Sequence, residues 1–289
     1  MLDIKELTME HHKDAERQAF VRILMSGNID EKVRHAITKL ADIHFPATKR
    51  ARDWLIRMGE NHDSIFQTGC PSIDLAKEVL DNPDLNFNFY DKYHGVGERF
   101  DLSNEYYIVM QHAVTTEPKS SAKHVNETLH AVLDLKKPVI WFWPNADAGS
   151  DDTSKAIRIF RENYDNPHIY FIKNMEPQDF LRLLNLSSGI IGNSSAAIRE
   201  ASYLGVPAIN LGSRQINRER GPNVIDVEHE REAIKTAIKS HFVGKKEQSF
   251  VYGNAQAGEK IAEVLATSTL NFSKNLNYIE DEKYLQSGD

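Results

Sequence analysis

Two adjacent serines, Ser194 and Ser195, stand between an aliphatic run and a helical pattern in the stretch GIIGNSSAAIREASYLGVPAINLG. Small hydroxyls at a helix start join the free backbone N–H groups and the positive end of the helix dipole. That combination suits an anion, a phosphate above all. Glu200, about one and a half turns on, is spaced to reach sugar hydroxyls, as an acidic residue does for ribose in dinucleotide sites. A plainer reading has Ser194 as an N-cap, Arg199 in solvent and Glu200 paired with a neighbouring base. His112, in VMQHAVTTE, ends an apolar strand pattern at the edge where open α/β sheets bind ligands. It can donate to a phosphate, move a proton, or merely cap the strand. Asn145 and Asp147, in WPNADAGSDD, stand just beyond the next strand end, where turn chemistry is the alternative. Asp30 and Glu31, in SGNIDEKVRHAITK, precede or open a helix. They are dipole partners there or, facing a cleft between domains, a general acid or base.

The elements that must position these residues are clearest after residue 105. YYIVMQH, PVIWFWP, IYFIKN, GIIGN, VPAINL and NVIDV read as buried strands. Helical patterns span Lys119–Leu135, Ser150–Tyr164, Pro177–Leu186, Ser194–Leu204, Glu228–Phe242 and Ala255–Ala266. Short apolar runs alternating with helices predict βαβ units and a complete doubly wound, Rossmann-like parallel sheet. The first hundred residues hold about half of a second α/β domain. DEKVRHAITKLADIHF reads as a helix running into a strand, TKRARDWLIRMG as a helix, IFQTG as a strand and PSIDLAKEVLD as a helix. Asn82–Asn104 reads as a linker. The expected divisions are 1–95, with 1–25 atypical, then 96–268, then a polar tail, 269–289.

Composition sets the outer bounds. The chain has 289 residues, 40% hydrophobic and 27% charged, with a net charge of −7. It can bury a core, and its charge argues against general nucleic-acid binding. One cysteine leaves no intramolecular disulfide and fits a reducing compartment. No apolar run is long enough to cross a membrane, and the first residues are charged, without a signal-peptide core. The expectation is a cytoplasmic protein with neither membrane nor nucleic acid as partner.

QHAVTTE, WPNADAGS, DEKVRHAITKLADIHFPAT and GNSSAAIREASYLGVPAINLGSRQINRERGPNVIDV resemble the UDP-N-acetylglucosamine 2-epimerase family. The likeness is greatest to its hydrolysing branch, found in sialic-acid and related nonulosonic-acid synthesis, and covers roughly residues 27–267. The resemblance implies a two-domain, GT-B-like fold with the nucleotide held mainly by the C-terminal domain. It implies loss of the C2 proton and of UDP to give a glycal, then addition of water to release N-acetylmannosamine, without metal or redox cofactor. UDP and a UDP-N-acetylhexosamine are the implied ligands, and a homo-oligomer the expected state.

Residue by residue, Ser194 and Ser195 match the family's diphosphate-binding pair and Glu200 its ribose-binding acid. Arg214, in LGSRQ, matches a basic residue near the phosphates, while Arg218 and Arg220 are expected to order the loop or meet solvent. His112 matches the histidine that supports departure of the diphosphate, and Asn145 a polar ligand contact. The loop Lys173–Pro177, with Lys173 and Met175, lies where uracil is usually held. Asp30 and Glu31 match the acidic pair that supplies one catalytic carboxylate. The chain departs from the family at its start. About a hundred N-terminal residues, with a further catalytic acid, have no counterpart, and Leu24 stands where the family carries a glutamate. The function expected is therefore a hydrolysing UDP-N-acetylglucosamine 2-epimerase of impaired turnover. The alternatives are a UDP-binding module without turnover and, with less support, a GT-B glycosyltransferase.

Overall fold

The computed structural model describes residues 29–114, 117–145, 149–268, 274, 275 and 277. Leu24, Asp147, the atypical residues 1–25 and most of the tail lie outside the described residues. Of Asp30 and Glu31 only the backbone is described. The chain divides into two compact units, Ser72–Tyr252 and Met1–Pro71 with Gly253–Asp289.

The larger unit is built on seven strands: β1 (Gly95–Val96), β2 (Tyr107–Met110), β3 (Val139–Phe142), β4 (Ile169–Ile172), β5 (Gly189–Gly192), β6 (Ala208–Leu211) and β7 (Val224–Val227). Their order is β1-β4-β3-β2-β5-β6-β7. The last six are parallel, with Tyr107 opposite both Val139 and Gly189. That is the doubly wound order, in which the chain reverses direction across the sheet between β2 and β5.

Strands buried on both faces must be apolar, and β2 to β5 are so throughout, while Asn210 in β6 and Asp226 in β7 interrupt the pattern toward the sheet's edge. Tyr107, Val109, Trp141 and Phe171 pack with Leu129, Val132, Ile157, Phe160 and Ile234 from the helices Ser121–Leu135, Ser150–Asn163 and Arg231–His241. On the other face, Phe142 meets Phe180 edge to face, and Tyr106 donates to Leu183 O at 2.6 Å, both partners on the helix Pro177–Leu186. Each such large side chain contributes about 1.5–3 kcal/mol by leaving water.

The segment expected as a linker is part of this unit. Its short helix Phe89–Lys92 is followed by β1, which pairs antiparallel with β4. Tyr170 draws it in: its ring lies 4.9 Å from Tyr90 and 5.9 Å from Phe89, and its hydroxyl accepts from Gly95 N at 2.9 Å. Lys92 and Tyr93 both reach Asp179 Oδ2 at 2.5 Å. Aromatic packing, invisible to a search for alternation, turns a polar stretch into an edge cover.

The smaller unit holds the helices Ile29–Leu40, Lys49–Arg57 and Ala257–Thr267. Thr48 caps the second, its Oγ1 accepting from Ala51 N at 3.1 Å. The two strands expected around His44 and Ile65 reduce to one parallel bridge between those residues. A parallel pair becomes a ladder only with continuous neighbours, and the described residues supply none. Glu60, almost wholly buried, accepts from Lys39 at 2.8 Å, His44 at 2.9 Å and Lys274 at 2.7 Å. Burial pushes its carboxyl up, but hydrogen bonds from Lys274 and Lys39 outweigh that and hold it below the usual range. Among the described residues no helix is long and apolar enough to cross a membrane.

Candidate functional site

The site grows from the carboxyl ends of β2 and β5, the pair at which the strand order reverses. Gly192 closes β5 at φ +134°, and a Cβ there would stand 2.1 Å from Met110 O. Only glycine lets the two strand ends approach so closely.

Asn193 follows, fully buried. Its Oδ1 accepts from His112 N and its Nδ2 donates to His112 O, both at 2.8 Å. Its own carbonyl accepts from Arg214 Nη1 at 3.1 Å and Gln215 Nε2 at 2.7 Å. One asparagine thus clasps the end of β2, the end of β5 and the loop after β6. Sequence reading passed over it; the signal was a polar residue wedged between a buried strand and the serines.

The clasp holds His112 buried, with Nδ1 accepting from Asn145 N at 3.2 Å. A nitrogen that accepts an N–H has its lone pair free, so the neutral ring carries its proton on Nε2, the donor. Asn145 meets His112 through its backbone; its side chain is exposed.

Ser194 Oγ accepts from Ala196 N at 3.3 Å, as an N-cap does. Ser195 Oγ accepts from Arg199 Nη2 at 3.1 Å. The continuous helix expected over Ser194–Leu204 is broken: a 3-10 turn spans Ser195–Ala197, and the α-helix proper is Glu200–Leu204. The carbonyls of Ala197 and Ile198 are taken by the side chains of Asn223 and Ser202, so the regular ladder does not run through them. Five helical residues carry little dipole, and affinity for an anion here falls to local N–H groups, hydroxyls and arginines.

Arg199 is not solvated. Its side chain is 11% exposed and pairs with Glu200 Oε1 at 3.2 Å. Glu200 is buried at the first position of the short helix, and its Oε2 has no hydrogen-bond partner among the described residues. Gln111 Oε1 and Gln215 Oε1 share that condition. An unmet buried acceptor costs about 1–3 kcal/mol.

The remaining candidates divide. Lys173 is exposed and Met175 buried just beyond β4, on the same carboxyl edge but two strands from β2. Arg220 orders the loop: it bonds Arg218 O, Gln215 O at 2.9 Å and Asp226 at 3.1 Å. Asp30 and Glu31 lie in the first turn of the Ile29–Leu40 helix, in the smaller unit. At the ends of β6 and β7 a cavity of about 490 Å³ is lined by Glu117, His124, Ser213, Arg220 and His229, among others. The His124 and His229 rings stack at 4.0 Å, and burial pushes His229 down to about 4. Among the described residues no group of three or more His, Cys, Asp or Glu could hold a metal ion.

Residues 24–266 match the family described as UDP-N-acetylglucosamine 2-epimerase. The chain belongs to that family. Among curated epimerases, it is 33% identical over 247 residues to a UDP-N,N'-diacetylbacillosamine 2-epimerase (hydrolyzing) of Legionella pneumophila, covering 85% of this chain and 63% of that protein. It is 32% identical over 263 residues to a UDP-N-acetylglucosamine 2-epimerase of Neisseria meningitidis, covering 89% and 66%. The chain thus spans a little under two thirds of these relatives' length. Among solved epimerases, the Methanocaldococcus jannaschii UDP-GlcNAc 2-epimerase in complex with UDP-GlcNAc and UDP superposes with a TM-score of 0.63 at 21% identity, over 83% of this chain and 64% of that one. The Neisseria meningitidis enzyme bound to UDP-GlcNAc gives 0.63 at 18%, over 83% and 65%. These likenesses bear out the α/β, GT-B-like fold class.

Proposed function

We propose that the carboxyl edge around β2 and β5 holds the UDP of a UDP-N-acetylhexosamine. We further propose that the chain serves the hydrolysing 2-epimerase reaction of its family: UDP-N-acetylglucosamine and water to N-acetylmannosamine and UDP. The observation that carries this reading is the clasp at Asn193. It aligns a buried histidine, two serines, two arginines and a half-satisfied glutamate at the topological switch point.

In this reading His112 Nε2–H, Ser194, Ser195 and Arg214 face the diphosphate, where charge grows as the C1–O bond breaks. Glu200 Oε2 accepts from the ribose, while Oε1 stays with Arg199. Asn145, Lys173 and Met175 line the side toward the sugar and base. The C2 proton leaves to a carboxylate, drawn from Asp30 and Glu31, as UDP departs; water then adds to the glycal. A cytoplasmic homo-oligomer, with neither nucleic acid nor membrane as partner, is the setting, in keeping with a net charge of −7 and one buried cysteine.

A second reading, a UDP-binding module without turnover, rests on the division of the candidates: the nucleotide-side ones lie in the larger unit, Asp30 and Glu31 in the smaller. Both readings require UDP to bind. Millimolar UDP should raise the melting temperature, because a ligand of the native state stabilises it. Glu200→Ala should weaken UDP about tenfold, the worth of one charge-assisted hydrogen bond. No shift with wild type sinks the site; an unchanged affinity in Glu200→Ala sinks the ribose role.

A further inference from the structure

The helix Pro177–Leu186 opens on an altered capping box. Glu176 is its N-cap: its carbonyl accepts from Phe180 N at 2.9 Å, and its own side chain makes no capping bond. Asp179 stands three residues on, where the acid of a capping box reaches back to the N-cap N–H. Here a hydroxyl comes between the two. Tyr93 Oη accepts from Glu176 N at 3.2 Å and donates to Asp179 Oδ2 at 2.5 Å. Burial pushes the Asp179 carboxyl up, but hydrogen bonds from Lys92 and Tyr93 outweigh that and hold it below the usual range. The relay therefore ends on a carboxylate, and its last bond is charge-assisted.

Tyr93 and Glu176 are 83 residues apart in sequence, so the relay ties two separate segments together. The tyrosine is fixed on its own side. The rings of Phe87 and Phe89 lie 5.7 and 6.2 Å from its ring. β1 pairs antiparallel with β4, Gly95 opposite Ile172, so the chain just before Gly95 runs beside the loop that leaves β4. That loop, Lys173–Glu176, has less to hold it: Met175 is its one buried side chain. We infer that Tyr93 is a positioning residue for the nucleotide base. By holding the Glu176 N–H it sets the backbone of Lys173–Glu176 in the conformation that matches the edge of uracil. This role rests on the proposed reading, in which the loop lies toward the base. A base met by a loop is recognised only as well as the loop is held, because a free loop must be ordered at the expense of affinity. Uracil and cytosine differ in the donors and acceptors of that edge, so a loop held in one conformation separates them.

Titration calorimetry of the full chain with UDP and with CDP decides it, since the two ligands differ only at the base. Wild type should prefer UDP. Tyr93→Phe keeps the ring and its packing; it should weaken UDP about tenfold, the worth of one charge-assisted hydrogen bond, and CDP less than about twofold. Lys92→Met removes another donor to Asp179 without touching Glu176 N, and should leave the UDP-to-CDP ratio as it is. Asp179→Asn keeps an acceptor for the hydroxyl, and should preserve the ratio better than Asp179→Ala; that pair carries the decision if Tyr93→Phe does not fold. Equal losses of UDP and CDP in Tyr93→Phe would mean that the tyrosine only holds the fold together, and overturn the role. So would an unchanged Tyr93→Phe, a Lys92→Met with the same lowered ratio, or Asp179→Asn no better than Asp179→Ala. Wild type that binds neither nucleotide sinks the reading of the sheet edge itself, whereas wild type that binds both alike overturns the Tyr93 role alone.

Discussion

The two units of this chain treat their apolar side chains in opposite ways. In the larger one, parallel strands that are apolar at nearly every position are covered on both faces, and Trp141, Phe160 and Phe171 are fully buried. In the smaller one a helix carries exposed apolar side chains, and among the described residues the β structure is one residue pair. The larger unit closes its core with its own sequence. Among the described residues the smaller unit is organised around polar contacts, Glu60 with its three donors foremost. Burial therefore has to be read unit by unit. The nucleotide-side residues sit in the unit that is closed, and the acidic pair of the proposed chemistry in the unit that is not.

The largest expected effect tests that split directly. Asp30→Asn combined with Glu31→Gln should slow UDP release from UDP-N-acetylglucosamine at least about a hundredfold relative to the unaltered chain, the lower end of what general acid–base help is worth, and leave UDP affinity unchanged. A coupled UDP assay decides it, and near-normal turnover breaks the comparison.

The closed unit should be brittle at its clasp. Asn193→Ala removes both side-chain bonds to the His112 backbone and leaves a buried N–H and C=O unmet. A loss of about 3 kcal/mol in urea unfolding is expected, with weaker UDP binding. A loss below about 1 kcal/mol would show that the strand ends hold without it.

Acid should strain both units through different groups. His229 is held near 4 by burial, against an unfolded value near 6.5. Between those values the unfolded chain binds the proton and the native one does not, so stability falls as pH drops from about 6.5 to about 4, by up to about 3 kcal/mol. His44, lowered by burial despite Glu60, acts in the same direction in the smaller unit. Glu60 adds its loss only below the ordinary carboxylate range, as pH falls through its depressed value. Hydrogen exchange at pH 6.5 and 4.5 separates them: His229→Gln should flatten the response of β6 and β7 and leave the smaller unit's unchanged. An unaltered β6–β7 response refutes the assignment to His229.

The smallest expected effect sharpens the picture of the open unit. Lys274→Ala removes one of three hydrogen-bond donors from Glu60, which keeps Lys39 and His44. A cost of about 1–2 kcal/mol follows, measured as lost protection in residues 44–60. No change would mean that the C-terminal residue contributes nothing to holding this unit.

Much of the fold was legible because buried parallel strands must be apolar throughout, which YIVM, VIWF and IYFI are. His112, Ser194 and Glu200 stood out as candidates because a strand end leaves few places for a ligand. Arg199 was not: one residue from Glu200, it looks like a solvated surface pair, yet its side chain is only 11% exposed. The segment Asn82–Asn104 was misread for a related reason. Its aromatic residues have no period, and their partner, Tyr170, lies some 75 residues on.

Sequence by itself determined the family and the doubly wound class of the sheet, and it nominated the candidate site residues, because periodicity and local motif are properties of neighbouring residues. Tertiary structure alone decided that Asn193 is the clasp, that the helix after the serines breaks before Glu200, that His112 Nδ1 accepts from Asn145 N, and that the Val33, Ile37 and Leu40 side chains are exposed. Each of these depends on which distant group competes for a backbone carbonyl, a ring nitrogen or an apolar surface, and such competition is settled only when the chain brings those groups within hydrogen-bonding or packing distance.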